Sequence, residues 1–358
     1  MRASRSLRLA FAPCALLGLA TLAGLTACLG TTGLESAPPN DSLLVPLNEL
    51  IGGNYLGFPG GLYNGADAPP ALHATEGASR AAAITPRDTA GALDAGGRYV
   101  LLSIGPTNAA LEFCSASGYP PCDDWSFIGQ AAKDPLVNQT TLAIVNGAAP
   151  NQFADAWTSA SGVNYDRIRD SVLAPAGLSE KQVEVVWLNA YDLEPTASLA
   201  ATDADAFILE ARLGNIVRAL KAKYPNLTMV FLSSRIWGGY AVTTTNPEPY
   251  AYESGFAVKW VVEAQIDQMS IGVVLDTLAG NLNYTTAAPW IAWGPYLWAY
   301  GDQARGDGLQ WLPLDFRQNN GTEPAQAGVQ KVGQLLLTFF EQDPRAACWF
   351  IVGGTCHK

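Results

Sequence analysis

Five short apolar runs, each stopped by Gly, Asn or Ser and most of them separated by helical periodicity, constrain this chain more than any other feature. They are Tyr99 to Ile104 before Gly105, Thr141 to Val145 before Asn146-Gly147, Val183 to Leu188 before Asn189, Leu227 to Leu232 before Ser233-Ser234-Arg235, and a weaker run from Pro289 to Trp293. Between and after them, Phe207 to Lys223, Tyr252 to Gln268 and a terminal segment from Ala325 carry apolar residues at spacings of three and four. In the last segment Val329, Val332, Leu335, Leu336 and Phe339 define one buried face. Continuous apolar strands alternating with amphipathic helices predict an α/β fold: a three-layer α/β/α sandwich on a mostly parallel five-stranded sheet. Its crossovers are right-handed. Ligands in such sheets bind beyond the carboxyl ends of the strands, so the residues that stop each run are the candidate site.

A chain of 358 residues, 49% of them hydrophobic, buries a large core. The alternating pattern spans 99–345. Residues 47–98 read as a Gly- and Pro-rich wrap with one helix-like run at Glu76 to Ala83, 28–46 as a tether, and 346–358 as a tail. The formal charge of −11, with no basic run after residue 8, excludes a nucleic-acid partner, which needs clustered Lys and Arg to neutralise phosphate.

Residues 1–27 have the build of a signal peptide: Arg2, Arg5 and Arg8, then apolar Leu9 to Leu25. The ending Leu25-Thr26-Ala27-Cys28 looks like a bacterial lipobox, which implies cleavage and lipidation of Cys28. The expected location is therefore the bacterial cell envelope, on the outer membrane or cell surface, with the lipid bilayer as partner. Four cysteines remain beyond Cys14 and Cys28, and an even number in an exported chain favours disulfides. Of three connectivities, the local pairs Cys114–Cys122 and Cys348–Cys356 close the shortest loops. No CxxC is present and histidine is scarce, so no metal and no other cofactor is expected.

The strand-end residues, taken in order, resemble the SGNH (GDSL-type) hydrolases over about Tyr99 to Phe340. That family carries a nucleophilic serine after its first strand, an oxyanion glycine after the second, an oxyanion asparagine after the third, and Asp-x-x-His before the last helix. Here the blocks are Ser103-Ile104-Gly105-Pro106-Thr107-Asn108, Asn146-Gly147, Asn189, and Asn320 to Glu323 in DFRQNNGTEPAQAG. A bacterial subgroup with S-I-G-x-S-N is closest in pattern, and the segments NPEPYAYESGFAVKW and WGPYLWAYGDQARGDGLQW resemble it too. The resemblance implies that Thr107 stands at the serine position, Gly147 and Asn189 at the oxyanion positions, Asn320 at the aspartate and Glu323 at the histidine.

Those substitutions remove the usual chemistry. An imidazole suits the base role because it titrates near neutrality, whereas an ordinary glutamate is a weak base toward a hydroxyl. Asparagine supplies no charge to stabilise an imidazolium, and the methyl of Thr107 crowds attack. Only His73 and His357 exist, neither beside the motif. Losing one core triad member costs on the order of a million-fold in kcat, or about 8 kcal/mol. The sequence thus predicts a degenerate triad in a lipid-anchored protein that binds a glycan or acyl-ester ligand. The alternatives are an esterase using Thr107 and Glu323, and a glycosidase-like pair of Glu323 with Asp302, Asp307 or Asp315. Trp290, Trp293, Tyr296, Trp298, Tyr300 and Trp311 read either as a sugar-stacking platform or as core packing.

Overall fold

The computed structural model describes residues 44–356; Met1 to Leu43, with Cys28 and the apolar leader, and His357 lie outside them. Leu44 and Leu47 are already in the core. A two-residue hairpin follows, β1 (Asn54–Tyr55) with β2 (Phe58–Pro59), and then helix α1 (Ala71–Ala81), which begins five residues before the helix-like run.

The five apolar runs are the five strands of one sheet: β3 (Tyr99–Ile104), β4 (Leu142–Asn146), β5 (Val183–Leu188), β6 (Met229–Leu232) and β7 (Trp290–Trp293). Their order is β4-β3-β5-β6-β7 and every neighbouring pair is parallel. The chain therefore starts one strand in from an edge, adds β4 as that edge, and then builds outward on the other side from β5. The reversal falls beside β3, and the crevice at the carboxyl ends of β3 and β5 is where this topology opens a site.

After a short α4 (Val163–Arg167), the longer helices α5 (Asp205–Lys223) and α6 (Tyr250–Ile271) pack as one pair. On the other side α2 (Thr107–Phe113) and α3 (Phe127–Ala131) pack on α7 (Gln326–Gln342). The register aligns Ser103, Trp187, Phe231 and Ala292 in one row across the sheet. Phe113 stacks on Trp187 at 5.5 Å and Phe339 meets Phe231 edge-on at 5.1 Å, so this row faces α2 and α7. Truncating an aromatic here to Ala costs about 3–5 kcal/mol. At the β7 edge, Gln265 accepts from Ile291 N–H and donates to the carbonyls of Leu282 and Pro289, which blunts an otherwise open strand.

The buried face of α7 is rotated from the one its apolar spacing predicts. Val329, Val332 and Leu336 are buried, but Leu335 and Phe339 sit at the margin, and Leu337 and Phe340 take the interior. The reason is a pair of glycines invisible to hydrophobic periodicity. A Cβ on Gly328 would stand 2.3 Å from the Asp315 carbonyl, and one on Gly333 3.0 Å from Phe127 N, so the helix touches its neighbours through bare backbone there. The final segment is more than a tail: Ala347–Phe350 form helix α8, and Trp349 and Phe350 are buried in the main core.

Candidate functional site

The strand ends converge beyond the regular ladder. Asn189 N–H donates to Ile104 O, Ala149 N–H to Gly105 O, Ser233 N–H to Leu188 O and Gly294 N–H to Leu232 O, at 2.7–3.0 Å. At the crevice between β3 and β5 the backbones are so close that a Cβ on Gly105 would lie 2.1 Å from Asn189 O. Only glycine fits, and it turns the chain directly into α2.

Thr107 opens α2, half-buried, with its Oγ1 accepting from Asn151 N–H at 3.0 Å. Asn320 and Glu323 lie on the turn ahead of α7. Asn320 Oδ1 accepts from the N–H groups of Thr322 and Glu323 at 3.0 and 3.1 Å, so the side chain shapes its own turn. Glu323 pairs with Arg317 at 2.9 Å. The first turn of α2 does meet this segment, but through Asn108, whose Nδ2 donates to Thr322 O at 3.1 Å. Among the described residues no hydrogen bond joins Thr107 to Glu323 or to Asn320. Gly147 follows β4, its carbonyl accepting from Arg167. Asn189 follows β5 and donates inward from Nδ2 to Glu112 Oε2 at 3.4 Å.

That last contact leads into a buried polar cluster that strand-end reading missed. Glu112 lies on α2, fully buried, and burial pushes its carboxyl up to about 8 against the opposing pull of Arg235 and Asn189. At that value it carries its proton for the most part at pH 7. Arg235, three residues past the end of β6, is buried as well, with its guanidinium 4.5 Å over the ring of Tyr191. Its Nε donates to Asn246 O at 3.1 Å and its Nη2 to Thr322 O at 3.2 Å. Burial pushes the Tyr191 hydroxyl up to about 12. Glu112 carried a faint signal in the sequence, as one acid inside the apolar helix Thr107–Phe113. Arg235 stood in the strand-end group with nothing to mark its burial.

Two of the three other acids of the glycosidase-like reading are already engaged. Asp315 is buried and paired with Lys331, and Asp307 is held below the usual carboxylate range by hydrogen bonds from Arg305 at 2.6 and 2.9 Å. Asp302 is exposed. His73 sits on α1, stacked on Trp290 at 4.8 Å with Nε2 2.9 Å from Ile291 O, and burial pulls its pKa down to about 4. It is a core residue on another element.

Trp290, Trp298 and Trp311 have no exposed surface, and Trp293 and Tyr296 are buried too, so this aromatic stretch packs the interior. The two segments that carried the subgroup resemblance meet there: Trp298 Nε1 donates to Glu248 Oε1 at 2.8 Å, and Tyr252 packs on Trp298 at 4.7 Å. Both local disulfides form, Cys114–Cys122 and Cys348–Cys356. Among the described residues no helix is long and apolar enough to cross a membrane, and no group of three or more His, Cys, Asp or Glu is placed to hold a metal ion.

A cavity of about 560 Å³ lies between α7 and the 307–310 loop, walled by Leu309, Gln310, Gln330, Gln334 and Leu335. A second, of about 310 Å³, lies beside β4 under the Cys114–Cys122 loop. Neither is lined by Thr107 or Glu323.

No protein-family model matches the chain, and no curated protein matches it. Among solved structures it is similar to the salicylyl-acyltransferase SsfX3 from a tetracycline biosynthetic pathway, at 13% identity over 68% of this chain, with a TM-score of 0.34. The match spans 54% of that protein, little more than half its length. It is also similar to an extracellular lipase from Streptomyces rimosus, at 12% identity over 67% of this chain and 98% of the lipase, with a TM-score of 0.30. At such overlap neither likeness bears on activity. The sheet order itself defines the class, an α/β protein with a parallel five-stranded sheet.

Proposed function

We propose that this chain is a lipid-anchored protein of the bacterial envelope, built on an SGNH-hydrolase-like frame, that binds a ligand and does not hydrolyse esters at the Thr107 position. The supporting observation is the separation of roles at the degenerate triad. The Thr107 oxygen is engaged by Asn151 N–H, Glu323 is tied to Arg317, and His73 is stacked on Trp290 in the core. A nucleophile needs a base within about 2.6–3.2 Å, and no hydrogen bond joins these three. The two disulfides fit an exported chain. Burial of the tryptophans takes away the stacking face a glycan would use, which favours an acyl-type ligand over a glycan.

The test is hydrolysis of a short-chain aryl acetate by the protein beside Thr107→Ala and Glu323→Ala. Equal background rates in all three are expected. Turnover lost in both variants would instead make Thr107 and Glu323 a working pair and establish the esterase reading. Anchoring is tested separately: Cys28→Ser should move the protein from the membrane fraction to the soluble one.

A further inference from the structure

The cavity beside β4 has an unusual position. Ile144 and Val145 are consecutive strand residues and point to opposite faces of the sheet, yet both line it. It therefore runs along the free edge of β4 and not over one face. Ala143, Ile144 and Val145 remain partly exposed, while every residue of the adjacent β3 is buried. A smaller cavity of about 100 Å³ shares Ile128 and Ile144 with it and extends the trough past Leu142. The opposite wall is Val172, Pro175 and Ala176, and the roof is the disulfide loop with Tyr119 and Pro120. A trough with such walls excludes strongly hydrated ligands and accepts an alkyl chain.

A cation stands behind one lining residue. Tyr119 lines the cavity, and its hydroxyl accepts from Arg167 Nη1 at 3.4 Å. Arg167 Nη2 donates to Gly147 O, and its Nε is buried with no partner. The neighbouring acids are paired elsewhere: Asp166 and Asp170 with Arg169, and Asp124 with Lys133. Among the described residues no carboxylate lies within 4 Å of Arg167. A guanidinium in that state is matched by a carboxylate.

We infer that the trough along the free edge of β4 binds a medium-chain alkyl carboxylate, its chain against Ile128, Ile144, Val145 and Val172 and its carboxylate toward Arg167. This deepens the binding reading above and rests on its premise that the chain holds a ligand.

The experiment is isothermal titration of decanoate, and of decanol as an uncharged control, into the purified full chain. One saturable decanoate site is expected, at least tenfold tighter than decanol. Arg167→Met should weaken decanoate at least tenfold and leave decanol within twofold. Ile144→Trp should abolish both by filling the trough, and Val172→Trp does the same from the opposite wall if Ile144→Trp does not fold. Absence of saturable decanoate binding to the unmodified protein overturns the inference, as does binding unchanged in the filled variants. The outcomes separate from the hydrolysis test. Decanoate binding with ester turnover would overturn the proposed function and keep this site; neither binding nor turnover would do the reverse.

Discussion

Asn108 and Arg235 converge on one acceptor: the carbonyl oxygen of Thr322 receives Nδ2 of the first at 3.1 Å and Nη2 of the second at 3.2 Å. Three segments distant in sequence, the start of α2, the loop after β6 and the turn before α7, are joined at that atom. Thr107 and Glu323 are the sequence neighbours of Asn108 and Thr322, so the geometry around them depends on this junction.

Removing Arg235 should therefore be severe. Arg235→Met loses two charged hydrogen bonds, strands the carbonyl of Asn246, leaves that of Thr322 with Asn108 alone, and removes the ring contact with Tyr191. The expected loss is about 3–5 kcal/mol, read as a shift in the urea midpoint. Arg235→Lys keeps the charge but cannot reach both carbonyls as a planar fork does, so it should recover less than half of the loss.

Stability should fall as pH rises through neutrality. Glu112 is raised by burial to about 8, Glu184, Glu248 and Glu253 to about 7, and Glu210 to about 9. Each keeps its proton in the folded state over a range where the unfolded chain has lost it. Folding then binds protons, and ΔG of unfolding declines from the ordinary glutamate range up to each folded value. One such group contributes a slope of up to about 1.4 kcal/mol per pH unit. Glu112→Gln should flatten the profile between about pH 5 and 8 and stabilise the protein most at the alkaline end. Urea titrations at several pH values would read this, and an unchanged slope would refute it.

His73 acts in the opposite sense. Its folded value of about 4 lies below the unfolded value of 6.5, so its contribution is present above pH 6.5 and is lost as pH falls toward 4. His73→Gln should remove that acid sensitivity while leaving the alkaline decline in place, which the same titrations resolve.

Each disulfide closes a loop of sequence separation 8, for which chain entropy predicts about 2–3 kcal/mol of stabilisation. Cys114→Ser/Cys122→Ser and Cys348→Ser/Cys356→Ser should each lower the thermal midpoint accordingly, and the combined loss should be near additive because the loops are separate.

Gly321 has φ of +65°, and a Cβ there would stand 1.8 Å from Tyr240 O. Gly321→Ala should cost at least about 2 kcal/mol, through left-handed strain and displacement of the turn from the 240–242 segment. Differential scanning calorimetry would show it as a lower midpoint.

Much of the architecture was legible in the chain. Strands β3 and β5 coincide with their apolar runs to the residue, because both are buried along their whole length and stop at Gly105 and Asn189. The local cysteine pairing was legible for a similar reason, since short loops bring the sulfurs together whatever the tertiary fold does. The true face of α7 was not, because Gly328 and Gly333 add nothing to hydrophobic periodicity while setting where the helix comes closest to its neighbours. Glu112 and Arg235 were harder still, since a charged residue announces neither its burial nor its partner.

Apolar runs, periodicity and punctuation by themselves determined which segments became strands and helices, and so the parallel sheet and the end at which a site forms; these are local consequences of burying continuous apolar runs and period-3.6 patterns. Only the tertiary structure decided what stands at that end. Hydrogen bonds and charge burial depend on distances between segments remote in sequence, and those distances put Asn108 and Arg235 on Thr322 and Asn151 on Thr107.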